Sequence, residues 1–257
     1  MIDVEDFIKK RIALYRAYDL RSEKFQRAGR GEQRKLSFGP YLLISREKGA
    51  GGSAVGHLAG ERLGWQVSDK TIVDAIAVKA NVRRELIESL DEQDRKRINR
   101  VAREFLSHAS FKRAAYLATL REIILAIGHQ GDVVIVGRNA HHILPTQFGV
   151  RARMVAPMEV RVRRTASKNN LSLKAARIEV EKSDRERARL TRRDYGADRN
   201  DPLHYDLIIN TAELSLEAAA EIVVSAARKK LNVQPPFISV PVLGGLTTTK
   251  IKSQSPA

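Results

Sequence analysis

Residues Lys48, Gly49, Ala50, Gly51, Gly52 and Ser53 make a glycine-rich run between an apolar segment beginning at Tyr41 and a helical pattern ending at Leu63. Strand, glycine turn and helix in that order build a phosphate-binding loop: glycines let backbone N–H groups converge on an anion, and the helix N-terminus adds the positive end of its dipole. Against the pattern G-x-x-x-x-G-K-[ST], Gly51 and Ser53 fit, Arg46 stands at the first glycine, and Gly52 stands where the lysine belongs. The scaffold is present without its charged tip, so Lys48, Arg46 or an arginine from elsewhere would have to supply the charge. The Ser53 hydroxyl would be open to a nucleotide-bound Mg²⁺, because hard cations prefer oxygen ligands. An ordinary strand-to-helix turn would carry the same glycines.

Two further clusters could act on phosphate. The apolar run Val133–Val136 ends in Gly137, Arg138 and Asn139. Arginine at a strand end can grip a phosphate with two parallel hydrogen bonds and asparagine can bond a base or ribose, although Arg138 could equally pair with a nearby carboxylate. His141 and His142 read as surface or half-buried residues. Downstream, the stretch Glu179–Arg193 sets Lys182, Glu186, Arg189 and Arg193 on one helical face with Arg185 and Arg192 beside it. Arginines so placed could close over phosphates and neutralise charge that develops during transfer. They could also lace a solvated helix with ion pairs.

These residues need a frame. Strand candidates are the segment from Tyr41, then residues 65–67, 132–136, 151–156 and 206–209, and helical patterns fall at about 70–90, 91–107, 111–128, 159–168, 172–195 and 215–231. Continuous apolar strands separated by helices predict a parallel sheet covered on both faces, a doubly wound α/β fold with a helical insertion. Ahead of it, residues 2–27 carry an amphipathic basic pattern, and residues 28–40 read as a linker. The fold proper is expected to start near Tyr41, and residues 232–257 read as a flexible tail.

Composition narrows the chemistry. The chain contains no cysteine, which removes disulfides and thiolate metal sites and suits a cytoplasmic setting. Its six histidines form no metal-binding pattern. No apolar run reaches the roughly 18 residues of a membrane span. An excess of 46 Lys and Arg over 30 Asp and Glu, a formal +16, favours polyanionic partners: nucleotides, nucleic acid or an anionic surface.

The three clusters in this order resemble the P-loop nucleoside monophosphate kinases, specifically the cytidylate kinase-like family, over roughly Tyr41 to Leu231. Ile44-Ser-Arg-Glu-Lys-Gly-Ala-Gly-Gly52 looks like that branch's loop. Gly64-Trp65 through Asp69 resembles its second strand and terminal Asp, and Gly137-Arg138 resembles its Gly-Arg-Asp, with Asn139 in place of the Asp. Residues 182–189 resemble its lid, with Lys182 and Glu186 where Arg and Asp are usual, and residues 206–215 resemble the last strand and the start of the final helix. Lys70 and Thr71 replace a Ser-Gly pair.

The resemblance implies a mainly five-stranded parallel sheet of P-loop kinase type, with an acceptor-side helical insertion over about residues 70–128 and a helical lid over about 171–200. It implies ATP with Mg²⁺ as donor, a nucleoside monophosphate such as CMP or dCMP as acceptor, and donor phosphates on Lys48–Ser53. Arg138, Arg185 and Arg189 would be catalytic. Asp69, Arg138, Asn139, Lys182 and Glu186 would bind the acceptor. The departures bear on base selectivity, since Asp and Asn satisfy different hydrogen bonds. The reading from another class is a lapsed kinase fold, regulating through bound nucleotide or using its basic surface on nucleic acid or protein.

Overall fold

The computed structural model describes residues 3–13, 38–78, 80–90, 92–103 and 111–233. Residues 4–13 are helical (α1). The order continues β1 (Tyr41–Arg46), α2 (Gly52–Leu63), β2 (Gln66–Ser68), α3 (Lys70–Val78), α4 (Ala80–Glu88), α5 (Glu92–Arg103), α6 (Phe111–Gln130) and β3 (Val133–Val136). It ends with β4 (Gly149–Val155), α7 (Met158–Asn169), α8 (Leu173–Tyr195), β5 (Leu207–Asn210) and α9 (Leu216–Leu231).

The strands form one five-stranded sheet in the order β2-β3-β1-β4-β5, with every pairing parallel. Alternation along β1 and β3 divides the core in two. Tyr41, Leu43, Val133 and Ile135 join α1 and the insertion helices α3 to α6, whereas Leu42, Ile44, Val134 and Val136 face α2 and α9. Strands buried on both faces must be apolar at every position, which is why they read as continuous apolar runs. Helix α2 lies close on the sheet because its inner face is small: a Cβ at Gly56 would sit 2.7 Å from Val136 Cγ2.

Helices α7 and α8 stand apart as a pair with a small core of their own, Val162, Ala166, Ala176 and Val180. Serines cap two helices: Ser172 Oγ accepts the Ala175 N–H at 3.2 Å at the start of α8, and Ser215 Oγ accepts the Ala218 N–H at 3.1 Å at the start of α9.

The insertion pattern over residues 70–90 is helical at 70–78 and 80–88. One expectation changes. Helix α1 belongs to the core instead of preceding it: Val4, Phe7 and Ile8 are buried in the insertion-side cluster. Fully buried Arg11 donates to Gln130 Oε1 at 3.0 Å and to the Gly131 carbonyl. Residues 14–27 of the expected helix and most of the linker and tail, residues 28–37 and 234–257, lie outside the described residues. No helix among the described residues is long and apolar enough to cross a membrane.

Candidate active site

The chain leaves β1 toward β2 and β3 on one side, then crosses to β4 and β5 on the other. The crevice at the carboxyl ends of the strands therefore opens around the end of β1, where ligands of such sheets bind. Two cavities lie there, and Arg46 and Arg187 line both.

The loop cavity, about 510 Å³, is walled by Lys48, Gly49, Gly51, Gly52, Ser53 and residues of α7 that include Arg164 and Lys168. Gly51 caps α2 in the left-handed region at φ 76, so the loop turns directly into the helix N-terminus. Ser53 is exposed in the first turn, as a phosphate-linked cation would require. Arg164 is anchored on the loop after β5, donating to the Thr211 hydroxyl at 3.0 Å and the Thr211 carbonyl at 2.7 Å. Lys48 turns away from an anion role in this structure, since its ammonium pairs with Glu179 at 2.6 Å.

The strand-end cavity, about 320 Å³, is walled by Lys70 from α3, Arg113 and Tyr116 from α6, Arg138 and Asn139 after β3, and Glu186, Asp194 and Tyr195 from α8. Gly137, Arg138 and Asn139 are consecutive left-handed residues at φ 90, 55 and 53. Such a conformation is costly for arginine and persists where surrounding structure imposes it, as at binding sites. The Arg138 guanidinium ion-pairs with Asp74 of α3, and the Asn139 side-chain oxygen lies 3.2 Å from the Thr191 hydroxyl. The carboxylate pairing left open for Arg138 is thus present, and Arg138 still lines the cavity.

Between the cavities, five arginines, Arg46, Arg153, Arg161, Arg187 and Arg199, gather around three acids, Glu47, Asp184 and Asp69. Asp184 ties α8 to the loop: it accepts the Lys48 N–H at 3.0 Å and ion-pairs with Arg161, with Arg187 and Arg199 at 3.6 and 3.9 Å. Arg187 and Arg199 also donate to the Arg46 carbonyl, at 3.3 and 2.9 Å. Burial first, and then repulsion from Arg187 and Arg199, pulls the Arg46 guanidinium down to about 10. Arg199 is pulled down to about 10 as well, by burial and then by Arg153 and Arg187. Both stay cationic at neutral pH, and the mutual repulsion marks positive charge that a bound polyanion would compensate.

Behind the strand-end cavity, His141, His142, His204, Tyr195 and Tyr205 pack ring on ring, with His142 stacked on Tyr195 at 5.0 Å between centroids. Burial holds His141 down to about 2 and His142 to about 4, so both are neutral rings at pH 7.

The structure brings the residues picked out by sequence together unevenly. Gly49, Gly51, Gly52 and Ser53 line the loop cavity, while Ala50 is fully buried beneath it. Arg138, Asn139 and Glu186 line the strand-end cavity. Asp69 lines neither; its Oδ1 accepts the N–H groups of Thr71 and Ile72 at 2.9 and 3.1 Å and caps α3. Lys182, Arg185 and Arg189 are exposed and line neither cavity. The inward face of α8 runs through Val180, Ser183, Asp184, Arg187 and Thr191, a helical repeat that leaves those three on the outside. The arginines that line the two cavities are Arg46, Arg113, Arg138, Arg187 and Arg199, with Arg164 in the wall of the loop cavity. Buried Ala176 and Val180 mark the inward face only in the first half of α8, and beyond them both faces carry charge. Among the described residues no cluster of three or more histidines and carboxylates could hold a metal alone, so a cation here would be shared with a nucleotide's phosphates.

Comparison with known proteins agrees with this geometry. Residues 42–213 match the model of the Cytidylate kinase-like family. The cytidylate kinase of Sulfolobus acidocaldarius is 29% identical over 109 residues, 42% of this chain and 60% of that protein. That of Pyrococcus horikoshii is 33% identical over 97 residues, 38% of this chain and 50% of that protein. The chain thus matches about half to three-fifths of the length of these curated relatives. A crystal structure of an uncharacterized protein from Eubacterium ventriosum superposes with TM-score 0.58 at 20% identity, covering 74% of this chain and 98% of that one, and shows the same fold. With the family model matched over residues 42–213, more than half of the chain, the chain belongs to the cytidylate kinase-like family.

Proposed function

We propose that this protein is a phosphotransferase that moves the γ-phosphoryl group of Mg²⁺-bound ATP to a nucleoside monophosphate, CMP or dCMP or a related phosphate acceptor. The observation that carries the reading is the pair of cavities meeting at Arg46 and Arg187: one is built on a phosphate loop, and the other is walled by Lys70, Arg113 and Arg138. The loop Gly49–Ser53 holds the donor phosphates through backbone N–H groups and the α2 dipole. Ser53 is the protein oxygen placed to share the Mg²⁺, which screens phosphate charge when bound. Arg138 and Lys70 hold the acceptor phosphate, Asn139 and Glu186 orient the rest of it, and the exposed Tyr116 ring offers a face for a base.

Arg187 takes the role that spacing had suggested for Arg185 and Arg189, because it stands in the wall of both cavities. Phosphoryl transfer asks little covalent chemistry of the protein, so positioning and charge do nearly all the work. Membership of the family and the arginines gathered between the cavities support the reading.

The test is a product assay with ATP, Mg²⁺ and a panel of nucleoside monophosphates. Arg138→Ala and Arg187→Ala are expected to lower turnover about 100-fold, the scale of removing one preorganised donor, while Arg189→Ala stays within about threefold. No diphosphate from any acceptor, together with no ATP binding, overturns the proposal. Turnover unaffected at Arg138 and Arg187 overturns the site assignment alone.

A further inference from the structure

The loop lacks the lysine of G-x-x-x-x-G-K-[ST], and the space that lysine would start from is taken. A Cβ on Gly52 would lie 2.5 Å from Arg46 Cβ and 3.0 Å from its Cγ, inside ordinary carbon contact, so no side chain fits at 52 while Arg46 follows its present course. The far end of the same side chain runs over a second glycine: a Cβ on Gly137 would overlap Arg46 Nη1. One glycine clears the stem of Arg46 and another clears its head. The head arrives between the two cavities and lines both. Arg187, Arg199 and Arg138 repel it there, and Asp69 attracts it.

We infer that Arg46, from the end of β1, does the work the loop lysine does elsewhere: its guanidinium grips the donor phosphates and stays with the transferred group as it passes between the cavities. This rests on the phosphotransferase reading above. In the transfer, the bond from the γ-phosphorus to the β–γ bridging oxygen breaks, and a bond from that phosphorus to an acceptor phosphate oxygen forms. The electron pair leaves on the ADP oxygen, and Arg46 keeps its protons throughout. A planar guanidinium suits this site because its fork can bond oxygens of two groups at once, which a lysine ammonium does as a point charge.

Arg46 and a side chain at 52 should therefore exclude each other, and the experiment uses that. The full chain, Arg46→Ala, Arg46→Lys, Arg46→Gly, Gly52→Lys and the double variant Arg46→Gly/Gly52→Lys are compared by calorimetric binding of Mg²⁺–ATP and of tripolyphosphate, and by turnover, with circular dichroism to check folding. Arg46→Ala is expected to lose about 100-fold in turnover and at least tenfold in tripolyphosphate affinity. Arg46→Lys should fall between Ala and wild type, and it carries the test if Arg46→Ala does not fold. Gly52→Lys alone should lose ATP binding, and the double variant should recover at least tenfold over Arg46→Gly. A folded Arg46→Ala within threefold of wild type in both readouts, or a Gly52→Lys chain that binds ATP normally, overturns the inference. If the wild-type chain binds tripolyphosphate but never turns over, the kinase reading fails alone, and loss of that binding in Arg46→Ala still decides the role of Arg46.

Discussion

Replacing Asp184 by asparagine removes one negative charge from the junction of lid and loop while keeping the shape of the side chain. Asp184 ion-pairs with Arg161, lies 3.6 Å from Arg187 and 3.9 Å from Arg199, and accepts the Lys48 N–H at 3.0 Å. Removing one partner of a buried pair costs about 3–5 kcal/mol. Two facts lower that here: the Asp184 side chain is 21% exposed, and the amide oxygen can still accept from Lys48. The net loss is then about 2 kcal/mol, or about 4–8 °C in Tm for a domain of this size. The sign of a second effect follows from the charge left behind. With one acid gone, the arginines are further from balance, so tripolyphosphate or ATP should raise the Tm of Asp184→Asn more than that of wild type. Thermal unfolding with and without each polyanion measures both quantities. A variant within 1 °C of wild type, or one that gains less from the anion than wild type does, would refute the account of Asp184 as the lid's internal counter-charge.

Gly51→Ala should lose about 1–2 kcal/mol of stability and most ATP affinity, because the residue sits at φ 76 and its Cβ would overlap a Leu216 methyl; unchanged calorimetric binding would count against the loop geometry. Acid should destabilise the chain through His141 and His142. Their folded values, about 2 and about 4, lie below the ordinary 6.5, so the unfolded chain takes up protons first as pH falls. Stability is complete above 6.5 and declines from there toward pH 4, by on the order of 1 kcal/mol per pH unit for each ring. Urea unfolding from pH 7.5 to 4.5 measures the slope, and His142→Gln should flatten it.

Much of this was legible from the residues because the governing physics is local. A parallel strand buried on both faces shows as an unbroken apolar run, and β3 lies within a residue of its expected bounds. A glycine turn before a helix pattern locates the loop. What escaped depends on contacts distant in sequence. Arg138 meets Asp74 from 64 residues away. Arg11 reaches Gln130 and Gly131, so the amphipathic basic helix expected ahead of the fold packs into its core. The residue between the cavities was among the candidates for the missing charge, but only the space above Gly52 and Gly137 singles it out.

Because Arg46 and Arg187 stand in the wall of both cavities, the two sites are not independent compartments. An anion in one draws on the same two cations as an anion in the other, so each occupant changes what the second one gains. Linkage makes that exchange symmetric: whatever factor the first ligand imposes on the affinity of the second, the second imposes on the first.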